Sequence, residues 1–217
     1  MLTKQAFEFI KLGSGGTYSL ARDAIKHNLW DTRFFGAAIA DNTFYSQPLG
    51  APWRAGNKTL NETNLTDSGK LPNGQTFLVT HISLGLQTYT TTGNTTGHEV
   101  PRAFINLLMS SVFEIKVAGR DFDFQIHGSQ FLPRPIAVSG QLATNAPVRL
   151  GDSIGSGIVA LNPAPIFLDQ LVSFSVVQRI LNADPAVLAI LTADSSVLLG
   201  VYATMNVVLI GFLTRAK

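Results

Sequence analysis

TNLTDSGKLPNGQTFLVTHIS, residues 63–83, is polar and turn-prone in its first half and β-rich in its second. Asp67, Ser68 and Gly69 mark one turn, and Pro72, Asn73 and Gly74 a second. Glycine and asparagine accept positive φ, and proline pre-sets φ for a turn. From Thr76 onward Phe77, Val79 and His81 alternate with Leu78, Thr80 and Ile82. That pattern predicts a strand covered on both faces, or one whose outer face is only partly wet. An extended N-terminal arm should end here and a β-sandwich begin.

Outward from this stretch, the C-terminal side reads as short strands broken by Gly and Pro. Residues 107–117 and 120–126 predict a hairpin around Ala118 and Gly119. In its second strand Phe122, Phe124 and Ile126 alternate with Asp123, Gln125 and His127. Weaker strands are expected over 137–142 and 148–150, with a loop over 151–157. Pro163 and Pro165 introduce 166–181, where Val172, Phe174 and Val176 favour a strand over a helix. Asp184 and Pro185 open a short helix, as cap and first residue. Residues 197–214 are strand-like and very apolar. The polar, uncharged run 87–97 is expected as an exposed loop. No internal repeat is evident, and this succession of strands indicates an all-β sandwich.

On the N-terminal side, residues 3–12 and 18–30 have apolar residues at helical spacing, separated by Gly13, Ser14, Gly15 and Gly16. That glycine run lacks the Lys-Ser/Thr of a phosphate-binding loop and reads as a joint. Residues 31–71 have little periodicity but carry Phe34, Phe35, Phe44, Tyr45 and Trp53. A disordered tail has few aromatic residues, so these rings must be buried, either on the chain's own sandwich or on a neighbouring subunit. They are the expected subunit-interface residues of an arm spanning 1–71, ahead of a sandwich domain spanning 72–217.

Composition narrows the function. The 217 residues suit one domain plus an arm, 46% hydrophobic and only 14% charged, against roughly 25% charged for an average soluble domain. So few charges suit a chain whose surface is covered by a membrane or by copies of itself. The net charge of +2 gives no basic stripe for nucleic acid, and Arg33, Arg54, Lys58 and Lys70 form no patch. Cysteine is absent, which excludes disulfides and thiolate sites. The N-terminus does not read as a signal peptide, because Glu8 and Lys11 interrupt any apolar core. The Asn-x-Thr triplets at Asn57, Asn61, Asn64 and Asn94 therefore read as loop composition.

Enzyme readings find little purchase. His27, His81, His98 and His127 form no metal-ligand pair, and no Gly-x-Ser-x-Gly elbow is present. Glu114, Asp121 and Asp123 are the one acidic cluster on expected strands. Asp121 and Asp123 share a strand face, but solvated face residues account for them better than a glycosidase pair. No cofactor or metal is implied, and the chain is not expected to be an enzyme. Residues 195–214, uncharged and followed by Arg215 and Lys217, are long enough for a membrane-spanning helix. Asn206, Tyr202, Thr204 and the β-branched residues there favour a strand instead.

The run T-N-L-x-x-x-G-x-L-P-x-G-x-x-F-x-V-x-x-I over residues 63–82 resembles that of the jelly-roll capsid proteins of tailless icosahedral phages. The closing strand, residues 207–215, is similar to the last strand of such proteins. The two stretches make up about an eighth of the chain's 217 residues, and the segment between suits a single eight-stranded jelly roll with an N-terminal arm carrying short helices. Members of that lineage often hold two rolls in one chain, whereas 217 residues leave room for one. The resemblance implies a structural subunit of the virion, made in the host cytoplasm and assembling with other copies of itself. A second capsid protein, an internal viral membrane and an enclosed genome fit as further partners, with no sequence-specific nucleic-acid binding. Two other readings stand beside it: a carbohydrate-binding β-sandwich module, for which Tyr89 in the Thr-rich loop is the hint, and a membrane protein anchored by its tail through 195–214.

Overall fold

The computed structural model describes residues 24–34, 41–53, 56–90, 99–119, 124–132, 157–161, 165–181 and 201–215. They form antiparallel sheets with little helix, an all-β architecture. The strands in chain order are β1 (Ala24–Phe34), β2 (Asn42–Phe44), β3 (Pro52–Trp53), β4 (Gly56–Asn57), β5 (Gln75–Thr90), β6 (Ser111–Val117), β7 (Phe124–His127), β8 (Ile158–Ala160), β9 (Ile166–Leu168), β10 (Phe174–Ile180) and β11 (Val201–Arg215). One helix, α1 (Glu99–Met109), precedes β6. The first sheet runs β1-β11-β5-β8, with β9 also paired to β5; the second runs β2-β10-β6-β7; β3 and β4 form a small hairpin.

β11 is the spine of the first sheet. It pairs with β1 from Ala24↔Thr214 to Phe34↔Thr204 and with β5 from Val201↔Thr90 to Arg215↔Gln75. Its apolar length is thus a strand hydrogen-bonded on both sides, which overturns the tail-anchor helix through 195–214. Among the described residues no helix is long and apolar enough to cross a membrane. Met205, Val207, Leu209 and Leu213 of β11 face one cluster with Leu29 of β1 and Phe77, Val79 and Ile82 of β5. Phe113, Ile115, Ile126, Phe174 and Val176 of the second sheet belong to the same cluster, so both sheets bury their apolar faces together.

The alternation in β5 changes phase. Ile210 pairs with His81 and Gly211 with Val79, leaving Thr80 as an extra residue in a bulge. Phe77 and Val79 are therefore inward before the bulge and Ile82 after it, all three fully buried, while His81 turns half out. Thr80 Oγ1 donates to the Ile210 carbonyl at 3.1 Å. Gly211 has no room for a side chain there, since a Cβ would collide with the Leu78 carbonyl.

Three local expectations are corrected. Residues 24–30, expected as part of a helix over 18–30, are strand. Leu29 and Asp31 are buried while Lys26 and Asn28 are exposed, a two-residue period that pairing with β11 imposes over the weaker helical spacing. Residues 24–34 therefore belong to the main sheet, although they lie within the stretch expected as an arm. Residues 107–109, expected as strand, end α1. Pro101 fits its first turn, and Phe104, Leu107 and Leu108 are buried at helical spacing. Strand begins at Ser111, whose hydroxyl donates to the Leu107 carbonyl at 2.6 Å. The hairpin turn falls at Ala118 and Gly119 as expected, both with positive φ; its second strand is described over Phe124–His127, and residues 120–123 lie outside the described residues. The strand expected within 166–181 appears as β9 and β10. Residues 87–90, expected to open an exposed loop over 87–97, continue β5 instead, paired with β11. Residues 91–97 of that loop, the helices expected over 3–12 and from Asp184, and the strands over 137–142 and 148–150 lie outside the described residues.

Gly211→Val places a branched side chain against the Leu78 carbonyl at the bulge. The expected loss is about 3 kcal/mol or more of unfolding free energy, measured by urea denaturation. A neutral result would mean that the bulge does not hold β11 and β5 this closely.

Candidate functional site

The chain from Asp41 to Leu71 leaves β1 and folds back along its open edge. Thr32 N–H donates to the Glu62 carbonyl at 2.8 Å, and Asn64 N–H to the Trp30 carbonyl at 3.4 Å. Asn64 also accepts from Trp30 N–H at 3.0 Å and donates to the Asn28 carbonyl at 2.8 Å. The Trp30 indole donates to the Leu60 carbonyl at 2.9 Å. A bare edge strand invites pairing with other chains; here residues 60–64 occupy the edge from Asn28 to Thr32.

An ion pair lies beneath this strap. Lys58 Nζ is 2.5 Å from Asp31 Oδ1, and both side chains are 0% accessible. Lys58 also donates to the Thr32 carbonyl at 3.0 Å, and its ammonium sits 4.9 Å from the centre of the Trp53 ring. Asp31 Oδ2 accepts from Tyr45 N–H at 2.6 Å. Burial pushes the Asp31 carboxyl up and the Lys58 amine down, against their mutual attraction. Both shifts favour the neutral forms, as expected where desolvation rivals pairing.

Tyr45 is the second anchor. It is completely buried with φ of 66°, a left-handed conformation that costs a non-glycine residue. Its hydroxyl lies 3.0 Å from the Leu29 carbonyl and 2.9 Å from that of Val207, tying the arm to β1 and β11. Its carbonyl accepts from Gly69 N–H at 2.6 Å, and Phe174 N–H donates to the Gly69 carbonyl at 2.7 Å. Gly69 sits at φ of 58°, where a Cβ would lie 2.8 Å from the Phe174 oxygen. The first turn of the 63–83 stretch is therefore fixed between the arm and β10.

Of the five aromatic residues expected at a subunit interface, Phe44 and Tyr45 are fully buried within this chain. Between the two surfaces the sequence allowed them, their rings use the chain's own core. Trp53 is half-buried on β3 beside Lys58. Phe34 ends β1, and Phe35 lies outside the described residues. Two of the arm's basic residues, Lys58 and Arg33, turn inward too. Arg33 donates from Nε to the Thr43 carbonyl at 2.9 Å and from Nη1 to Gln47 at 2.6 Å, with Ser46 Oγ on Nη2. Lys70 is exposed, and Arg54 lies outside the described residues.

The other candidates take structural partners. His27 packs edge-on to Phe77 with ring centres 6.3 Å apart. His81 Nδ1 is 2.9 Å from Thr80 Oγ1. His127 accepts from Ser129 N–H at 3.2 Å, capping a short 3-10 turn. His98, Asp121 and Asp123 lie outside the described residues. Glu114, on the outer face of the second sheet, accepts from Arg179 Nε at 2.9 Å and from Gln125 at 3.0 Å, while Arg179 Nη1 also binds Asp41 at 2.6 Å. Among the described residues no group of three or more His, Asp and Glu side chains could hold a metal ion. Comparison with protein-family models, curated proteins and solved structures finds no match. The Asp31–Lys58 pair, unmarked by spacing or motif, brings an amine and a carboxyl together with both side chains shut off from water.

Two outcomes follow from these ion pairs. Asp31→Ala leaves Lys58 buried without its counter-charge and should cost about 3–5 kcal/mol, measured by chemical denaturation; a loss under about 1 kcal/mol would mean that water reaches Lys58. At Glu114, burial raises the carboxyl's pKa, but the Arg179 and Gln125 hydrogen bonds and the Arg179 and Lys116 charges outweigh it and hold the pKa below its ordinary 4.5. The lowered folded-state value gives stability that is present above the unfolded pKa and lost as pH falls through the folded one. Arg179→Ala should move the Glu114 titration to higher pH, followed by NMR of its carboxyl carbon, and an unmoved titration would show the pair to be open to water.

Proposed function

We propose that this protein is a capsid subunit of a tailless icosahedral phage, built on a single jelly roll. The nested order of strand pairing is the observation that carries the reading. With the β3–β4 hairpin set aside and β8 and β9 taken as one interrupted strand on β5, eight strands remain among the described residues. The first pairs with the last (β1 with β11), the second with the seventh (β2 with β10), the third with the sixth (β5 with β8 and β9) and the fourth with the fifth (β6 with β7). A long antiparallel ribbon pairs in this way. In a jelly roll, rolling up such a ribbon would lay the last strand against the third and the seventh against the fourth; the pairing of β11 with β5 and of β10 with β6 supports that reading.

The step from fold to function is an analogy, and two observations support it. The stretches that resemble the phage capsid proteins are neighbours in space. Residues 75–84 of β5 pair with residues 207–215 of β11, from Gln75↔Arg215 to Leu84↔Val207. Further, a chain only 14% charged suits a subunit surrounded by copies of itself, each face meeting a different face of its neighbour around a closed ring.

Light scattering of the purified protein across salt and pH, with electron microscopy of the same samples, tests the proposal. Rings, sheets or particles are the expected result. A stable monomer under every condition would overturn it, and glycan binding by that monomer would put a carbohydrate-binding module in its place.

A further inference from the structure

We propose that Lys58 and Asp31 condense to an intramolecular amide, so that the mature chain carries a covalent cross-link between β1 and the strap that covers its edge. The reacting groups are already in contact, with Nζ 2.5 Å from Oδ1 and the attacked carbon one bond beyond that oxygen. Neither partner is free to drift. Asp31 lies mid-strand, paired with Val207 and bridged to Thr63. The Lys58 main chain is held in both directions, by Gly50 N–H on its carbonyl at 2.9 Å and by its own N–H on the Ala51 carbonyl at 2.8 Å. Groups held this way react with effective molarities of about 10⁵ M or more.

The surroundings favour the chemistry as well as the encounter. Both side chains are fully shielded from water, and Trp53 covers the amine. Proton transfer from Nζ to Oδ1 gives a neutral amine and a neutral acid, the forms that burial already favours at both groups. The amine then attacks Cγ, and the electrons of the carbonyl bond move onto Oδ2. Tyr45 N–H, 2.6 Å away, donates to that oxygen and supports the developing oxyanion. Collapse restores the carbonyl at Oδ2, and Oδ1 departs as water with a second proton from the nitrogen. An ammonium and a carboxylate become one amide and one water, with no co-reactant. The other nearby charges are engaged elsewhere: Glu62 accepts from Thr59 N–H and Oγ1, at 2.7 and 2.6 Å, and Arg33 is bound to Thr43 and Gln47. The chain has no cysteine, so this bond would give it a covalent closure that a disulfide cannot.

Intact-mass spectrometry of the folded full chain, followed by tryptic mapping, decides the matter. The expected mass is lower than calculated by one water. Trypsin should fail to cut after Lys58, and a branched peptide should join the segments holding Asp31 and Lys58. Lys58→Met should show its full calculated mass; should that variant not fold, the wild-type mass and map decide alone. The full calculated mass for folded wild type after prolonged incubation at neutral pH would overturn the proposal. So would a water loss that maps elsewhere, or one that hydroxylamine cleaves, which marks a succinimide.

Discussion

The pairing of β11 on both of its edges is the constraint from which the rest of the structure follows. A strand so apolar cannot lie at an edge without inviting association, and two long neighbours, β1 and β5, saturate it. Their register decides which side chains enter the core. The bulge at Thr80 then corrects the phase of β5 so that residues on both sides of it point inward. Without that extra residue Phe77 and Val79 would share a face with His81, and Ile82 would turn outward, because a one-residue slip moves every following side chain to the other face. The close approach of Gly211 to the Leu78 backbone accompanies this correction.

Much of this was legible where a local pattern agreed with the final environment. The turns at Gly69 and Gly74, the strand from Thr76, the Ala118–Gly119 hairpin and the strand character of the C-terminal run follow from Gly, Pro and β-branched placement. β1 was not legible. Its apolar residues fit a helix as well as a strand, and only β11, far away in sequence, selects the strand. The start of β6 was misplaced because a buried helix end and a buried strand read alike when Leu107, Leu108 and Met109 run straight into Val112 and Phe113.

The Asp31–Lys58 pair was illegible for a different reason. A buried charge leaves no periodic trace, and its partner lies on an irregular segment. Both residues sit where composition alone suggests solvent, Asp31 after Trp30 and Lys58 amid Gly, Asn and Thr. Their burial is set by the strap closing over β1, and the strap is held by backbone groups whose partners no side-chain pattern reveals. The aromatic residues were half legible. That Phe44 and Tyr45 required burial could be read, but not that their own chain would supply it.

The nested pairing also bears on how the chain reaches this state. Its outermost pair joins β1 to β11, so the two strands most distant in sequence meet at one side of the larger sheet, with β11 between β1 and β5. Contacts of that separation must be closed against a large loss of chain entropy before they contribute anything. A growing chain can form the β6–β7 hairpin soon after synthesis, but β1 and β5 must wait for residues 201–215 to emerge before the strand between them exists. Until then both carry unpaired edges, and in a cell where many copies are made together that interval is when chaperone protection matters most.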